Sequence, residues 1–317
     1  RVLGLEEYGV KIIIDDLFKE EILHHIDNEN FNQIRYLKKD YHNFKSYLKT
    51  PTFPKHMDYV NSDYAPNLLK FMKIKIDGTK TNSYYGFLKG IGEDIPLFTE
   101  EQITAIDYIS SLLPLVRRHE FLVVKLLLNG ITSENVIRQT LSNEIAGYTD
   151  EQMNHALRFM KEGGVIQMSD GSIRFRCTVD PEFVEFVSDL LEYGLSQYIA
   201  KYKDDDDFLI YQDYRKDQAL LKILMNPKGD QKGTYYKNGK MYIFAALKKD
   251  SSVQEHLNYK DKFLDNETFQ WESVANIKVD EERKQRESKQ ALVFVRKVES
   301  ENSITLPFTY VGTGQLY

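Results

Sequence analysis

The stretch from Leu115 to Thr178 constrains the fold most, because helix signals and glycine stops alternate through it at short intervals. The first helix runs from about Leu115 to Leu128 and stops at Asn129-Gly130. Thr132 or Ser133 caps a second helix, which ends at Gly147. Thr149, with Gln152 three residues on, opens a third, which ends at Gly163-Gly164. Val165-Ile166-Gln167-Met168 then reads as a strand, Ser169-Asp170-Gly171 as a tight turn and Ile173-Arg174-Phe175-Arg176 as the returning strand. Three short helices and a β-hairpin are the element order of a winged helix.

In such folds the third helix often enters a DNA major groove. Here that helix, Thr149–Glu162, sets Arg158 and Lys161 against Asp150, Glu151 and Glu162. A groove-reading helix is usually basic, so this one is expected to pack or to dock a partner. The arginines Arg174 and Arg176 are the better DNA candidates, since residues two apart share one face of a strand. A merely solvated strand face would look the same.

Around this block the chain divides in three. Residues 1–114 read as a helical segment. Ile14, Phe18, Ile22 and Ile26 form one apolar stripe, and a second helix covers about Phe31 to Leu48. Thr50-Pro51 ends it, because a residue before proline avoids helical geometry. Tyr84, Tyr85, Phe87 and Leu88 form a short apolar patch, followed by a turn at Gly90-Ile91-Gly92. Thr99 and Gln102 then open another helix with a capping box. Residues 115–207 hold the winged helix, a trailing helix over Pro181–Tyr202 and the acidic run Asp204 to Asp207, read as an exposed linker. Residues 208–317 read as a small β-rich domain. Its strands are Met241–Leu247, Leu292–Val298 and Phe308–Val311, with a short helix over Gln218–Met225 and a type I′ turn at Asn238-Gly239. The expected class is α+β: helical segment, winged helix and a mostly antiparallel partial barrel.

Composition narrows the function classes. No apolar run approaches the ~20 residues of a membrane span, and no basic-then-apolar leader opens the chain. It begins at Arg1, not Met, as expected of a piece of a longer protein. Cys177 is the only cysteine, which rules out an internal disulfide and fits a reducing cytoplasm. Residues 1–114 carry 14 Lys/Arg against 17 Asp/Glu, residues 115–207 carry 10 against 16, and residues 208–317 carry 18 against 15. Only the last third is basic, so a nucleic-acid contact is expected there and is expected to be modest.

No catalytic constellation is complete. There is no Gly-Lys-Ser/Thr phosphate loop and no Gly-x-Ser-x-Gly elbow. His24 and His25 are adjacent, without the i,i+4 spacing of helical metal ligands. Glu287-Ser288-Lys289 and Asp230-Gln231-Lys232 fit an acid-x-Lys nuclease pattern only formally. Cys177 has no obvious nearby base. No metal or cofactor is expected in this region.

The last domain is rich in motifs. Tyr214-Arg215-Lys216-Asp217 comes first, then Ile243-Phe244 leading to Lys248-Lys249, then Tyr259-Lys260-Asp261-Lys262-Phe263. Phe269-Gln270-Trp271-Glu272-Ser273, Val293-Phe294-Val295-Arg296 and Pro307-Phe308-Thr309-Tyr310-Val311-Gly312 follow. In this order they resemble the poorly characterised domain that lies behind the motor of bacterial DEAD/DEAH-box helicase-like proteins, many of which carry a phospholipase-D-type nuclease domain. Tyr47-Leu48, Thr50-Pro51-Thr52 and Met57-Asp58-Tyr59 resemble the helical post-motor segment of the same proteins. Two positions depart from that pattern: Gln270 stands where a His is usual, and Glu272 where a Gln is usual.

The resemblance implies a restriction or phage-defence helicase whose tail acts on nucleic acid. The motor, with its ATP and Mg, and any nuclease would lie in other parts of the parent chain. A base-reading pocket needs aromatic faces and polar edges. Trp271, Phe269, Tyr259 and Tyr310 are the candidate faces, and Arg215, Ser273 and Arg296 the candidate donors or phosphate contacts, with Arg174 and Arg176 on the wing. Such a pocket would select modified DNA, as a flipped base or a single strand. Equally, Phe269 and Trp271 can belong to the core, Arg215 can pair with Asp217, and the module can be a protein-interaction or oligomerisation scaffold. Phe294, in an apolar strand, is expected in the core.

Overall fold

The computed structural model describes residues 33–72, 74–76, 78–145, 147–202, 208–225, 232–248, 261–272, 279–301 and 304–316. The stripe from Ile14 to Ile26, His24-His25 and the acidic run at Asp204 lie outside the described residues. The chain forms two compact units, residues 1–54 with 62–95 and residues 55–61 with 96–317.

In the first unit, α1 (Gln33–Leu48) buries Leu37, Tyr41 and Phe44 along one face. Tyr41 meets Phe71 and Phe87 edge-on, at 6.2 and 5.6 Å between ring centroids. A short hairpin, β1 (Lys75–Ile76) with β2 (Thr79–Lys80), precedes α2 (Tyr84–Ile91). The apolar patch at Tyr84 is therefore helical. Ser83 caps it by accepting from Gly86 N, and the stop falls at Gly92 alone, which takes the left-handed conformation at φ 80°. Gly90 lies inside the helix because Ile76 approaches closely: a Cβ there would sit 2.8 Å from its Cδ1.

In the second unit, Thr99 and Gln102 form the expected capping box at the start of α3 (Glu100–Leu112). This helix lies in the same unit as the winged helix, ahead of the border expected at residue 114. Gln102 Nε2 donates to Thr178 O and to Asp180 Oδ2 at 3.0 and 2.6 Å. The winged helix follows as α4 (His119–Leu128), α5 (Glu134–Glu144), α6 (Asp150–Glu162), β3 (Ile166–Ser169) and β4 (Ser172–Phe175). The turn residues Asp170 and Gly171 both have positive φ, 50° and 70°, as a type I′ turn requires. The first of these helices starts four residues later than expected. Pro114 shapes a 3-10 turn over Leu113–Leu115, and Val116 then adopts φ 54°, which breaks the helical path.

The trailing helix α7 covers Pro181–Tyr202, as read from the sequence. Gly194 lets it close on α4, since a Cβ there would meet the Phe121 ring at 2.5 Å. The last turns of α7 carry Tyr198 and Tyr202 into the core of the C-terminal domain.

That domain is a curled five-stranded half-barrel in the order β5 (Asp213–Tyr214), β11 (Phe308–Gln315), β10 (Gln290–Arg296), β7 (Lys240–Ala246), β6 (Thr234–Lys237). The class is α+β, as expected. One pairing differs from the antiparallel expectation: β7 and β10 run parallel, with Phe244 beside Phe294. Parallel neighbours need a long crossover. Here it contains the small hairpin β8 (Lys262–Phe263) with β9 (Phe269–Gln270), and then α9 (Val279–Glu287). Both central strands are buried on both faces, Met241–Ala245 and Ala291–Val295, which is why they read as unbroken apolar runs. A further helix, α8 (Lys216–Lys222), follows β5. One face of the sheet packs Tyr214, Phe244, Phe294, Phe308 and Tyr310 under Tyr198, Tyr202, Ala219 and Leu220. The other gathers Met241, Ile243, Ala245, Ala291, Val293 and Val295.

Candidate nucleic-acid interface

The winged helix presents two surfaces with opposite fates. The first half of α6, the groove-entering part of a DNA-reading helix, is held by the protein itself. Arg138 on α5 donates to Asp150 Oδ1 at 3.2 Å and to Asn154 Oδ1 at 2.7 Å, while its Nε holds Glu134 at 2.9 Å. Lys237 of the half-barrel reaches Glu151 at 3.0 Å. Arg117 Nη2 donates to His155 Nδ1 at 3.4 Å. Burial, and then the charge of Arg117, hold the His155 pKa below its ordinary value.

Arg117 anchors this arrangement. It is buried, and it donates through Nε to Glu120 Oε1 at 2.9 Å and through Nη1 to Leu221 O at 3.0 Å. One side chain thus joins the winged helix to α8. Gln218 strengthens the joint by donating to Pro114 O at 2.6 Å.

The wing is different. Along β4, Ile173 and Phe175 point inward, so Arg174 projects outward, and Arg176 just beyond it is exposed as well. Arg174 donates to its neighbour Ser172 Oγ at 3.2 Å. Among the described residues neither arginine forms an ion pair. Arg158 and Lys161, on the second half of α6, are also exposed.

Among the described residues, Phe269 and Trp271 are not brought together with Tyr310. Phe269 and Trp271 are half-buried against the face lined by Met241 and Ile243. Tyr310 lies on the opposite face, buried beside Phe294 at 4.9 Å, with its hydroxyl 2.7 Å from Thr313 Oγ1. The sheet itself separates these rings. Phe294 is fully buried, as expected. Arg215 pairs with Asp217. Arg296 spans the Phe308 ring at 4.3 Å and donates to Leu306 O at 3.2 Å, and burial lowers its pKa. Tyr259 and Ser273 lie outside the described residues.

Among the described residues no three His, Cys, Asp or Glu side chains converge as metal ligands. Burial pushes the Cys177 thiol up to about 11, so it stays protonated at neutral pH. Glu287 lies on an exposed helix, 3.9 Å from Arg283. Asp230 and Gln231 lie outside the described residues.

Two interactions escaped the sequence. One is the Arg117–Glu120 pair: the i,i+3 spacing is visible, but nothing local signals its burial. The other is His56, buried, whose Nδ1 lies 2.8 Å from Asp189 Oδ2, 133 residues away. Asp189 also accepts from the backbone N–H of His56 and Met57, at 2.6 and 3.2 Å. Burial raises the Asp189 carboxyl pKa, but the contacts with His56 outweigh it and leave the pKa below its ordinary value.

Comparison with known families places most of this architecture. Residues 37–201, just over half of the chain, match the model of the domain of unknown function DUF8090. The chain belongs to the DUF8090 family. The matched region takes in described parts of both units, including all three winged-helix helices and most of α7. Beyond the DUF8090 region, residues 208–317 match a second model, the domain of unknown function DUF3427. It begins immediately after the acidic run read as a border. No curated protein matches the chain. Among the described residues no helix is long and apolar enough to cross a membrane.

Proposed function

We propose that this chain is the non-catalytic, nucleic-acid-binding tail of a helicase-like protein, and that it holds the phosphate backbone of DNA with its wing. The observation that carries the reading is the exposed pair Arg174 and Arg176, which form no ion pair with the described residues. A guanidinium without a carboxylate partner is available to a phosphate and fits it in bidentate fashion. The resemblance of the DUF3427 region to post-motor domains of DEAD/DEAH-box proteins supports the parent context. In that context ATP hydrolysis, with its Mg, and any cleavage belong to the motor and a nuclease domain elsewhere in the parent, and the role is restriction or phage defence in the cytoplasm.

The geometry favours backbone contact over base selection. Of the rings proposed for a modified-base pocket, Phe269 and Trp271 lie on one face of the sheet and Tyr310 on the other, and the groove-entering half of α6 is already occupied by Arg138, Lys237 and Arg117. Phosphate contacts position a protein without reading sequence.

The test is anisotropy of a labelled DNA duplex over a salt series, with the Arg174→Gln/Arg176→Gln variant in parallel. Each phosphate contact contributes about 0.9 to the slope of log affinity against log salt. The double variant should bind more weakly and lose about 2 from that slope. An unchanged slope rules the wing out. Concentration-dependent self-association with no DNA shift at low salt would favour the scaffold reading instead.

A further inference from the structure

The first unit carries a second surface feature that the wing does not explain. Asp40, Asn43 and Tyr47 follow one another at i, i+3 and i+7 on the exposed side of α1, with Phe44 beside them. Facing them is the segment Asp63-Tyr64-Ala65-Pro66, with Lys70 at one end. Together they line a groove of about 440 Å³. The facing segment is pre-shaped: Tyr64 N donates to Ser62 Oγ at 3.3 Å and Ala65 N to Ser62 O at 3.2 Å, ahead of Pro66.

Two aromatic rings stand open at this groove. Tyr47 is 53% exposed and Tyr64 71% exposed. Their centroids lie 4.5 Å apart with a tilt of 40°, so they form a wedge and not a closed stack. Asp40 and Asp63 form no ion pair with any described residue. Among the described residues the lining carries two carboxylates and one cation, Lys70.

That charge decides between ligand classes. A phosphate-bearing ligand would meet two unpaired carboxylates, which repel it. A cation gains from both rings and both acids. Among cations, a guanidinium suits the groove best. It is planar, weakly hydrated and able to stack on a tyrosine face while its edge donates in bidentate fashion to a carboxylate. We propose that this groove binds an arginine side chain presented by a basic polypeptide segment. The occupant is thus a protein partner of the first unit, distinct from the nucleic acid assigned to the wing.

The test uses the full chain and a labelled glycine-serine peptide carrying one arginine. The control peptide replaces arginine with citrulline, which keeps the shape and removes the charge. Anisotropy should show the arginine peptide binding at least about tenfold tighter than the citrulline peptide. Tyr64→Ala should weaken it about fivefold, and Asp40→Asn with Asp63→Asn about tenfold. All three positions are exposed, so the variants should keep the parent melting temperature. Equal binding of the two peptides would overturn the proposal, as would binding indifferent to these substitutions. So would a single-stranded oligonucleotide that binds here and is lost with Tyr64→Ala, since the groove would then be a base-stacking site.

Discussion

The first half of α6 and the wing strand β4 belong to one winged helix, yet their polar side chains do opposite things. On α6, Asp150, Glu151, Asn154 and His155 each face a cation of the same chain: Arg138, Lys237, Arg138 again and Arg117. On the wing, Arg174 and Arg176 face solvent. Polar groups engaged with one another contribute to stability, and free ones are available for binding. The helix that the fold class nominates for DNA reading is therefore a structural element here, and the hairpin carries the open charge. The comparison can be broken by showing that α6 residues matter for binding, or that wing residues matter for folding.

The largest effect is expected at Arg117. Arg117→Met leaves Glu120 buried without its partner, which typically costs about 3–5 kcal/mol. It also removes the hydrogen bond to Leu221 O that ties the segment just before α4 to α8. The double variant Arg117→Met/Glu120→Met should recover most of that loss, because apolar replacement of a buried pair is often neutral. Urea midpoints of the three proteins measure this directly. If the single variant costs less than about 1 kcal/mol, the pair is solvated and the joint is not what holds α6.

What the sequence disclosed follows the same line between local and distant causes. Helix caps, glycine stops and the two I′ turns depend on neighbouring residues, so Thr99, Thr149, Asp170-Gly171 and Asn238-Gly239 were readable as they stand. The start of α4 is not legible in the sequence because the left-handed Val116 has no residue signature: valine rarely adopts φ 54°. The parallel pairing of β7 with β10 was missed although its mark was present. Both strands are apolar at five consecutive positions, the pattern of strands covered on two faces. Composition places Trp271 and Tyr310 in one domain but cannot say on which side of a sheet each lies, and they lie on opposite sides. Likewise Lys237 and Glu151, 86 residues apart, give no hint in the sequence of their contact.

A smaller effect is expected from acid. His155 is held neutral in the folded chain, by burial first and by Arg117 second. Its Nδ1 accepts from Arg117, which a protonated ring cannot do. The unfolded chain takes up that proton near the ordinary pKa of 6.5, while the folded chain resists it to lower pH. The unfolded state thus binds more protons in that window, and stability falls as pH drops below 6.5. The ring is partly exposed, so screening keeps the contribution below about 1 kcal/mol. His155→Gln should flatten the stability profile between neutral and mildly acidic pH. A profile that keeps its slope in this variant would assign the acid loss to other groups and leave α6 less firmly tied to Arg117 than the geometry indicates.

The smallest change in stability, and the sharpest contrast, is expected on the wing. Arg174 and Arg176 make no ion pair with the described residues, and their backbone positions in and beside β4 are fixed by the inward pair Ile173 and Phe175. Replacing both arginines with glutamine keeps a polar side chain, shortens it and removes two like charges on neighbouring positions of the wing. The urea midpoint should therefore shift by no more than about 0.5 kcal/mol in either direction. A clear loss of stability would mean that the guanidiniums are engaged in the folded protein, as the acids of α6 are, and the division of labour between helix and wing would fail. A clear gain would fit the opposite view: two repelling charges kept at a cost to the fold are what a phosphate-binding surface requires. Either shift is separable from DNA affinity, because the salt series reads charge neutralised on binding and the urea midpoint reads the free protein alone.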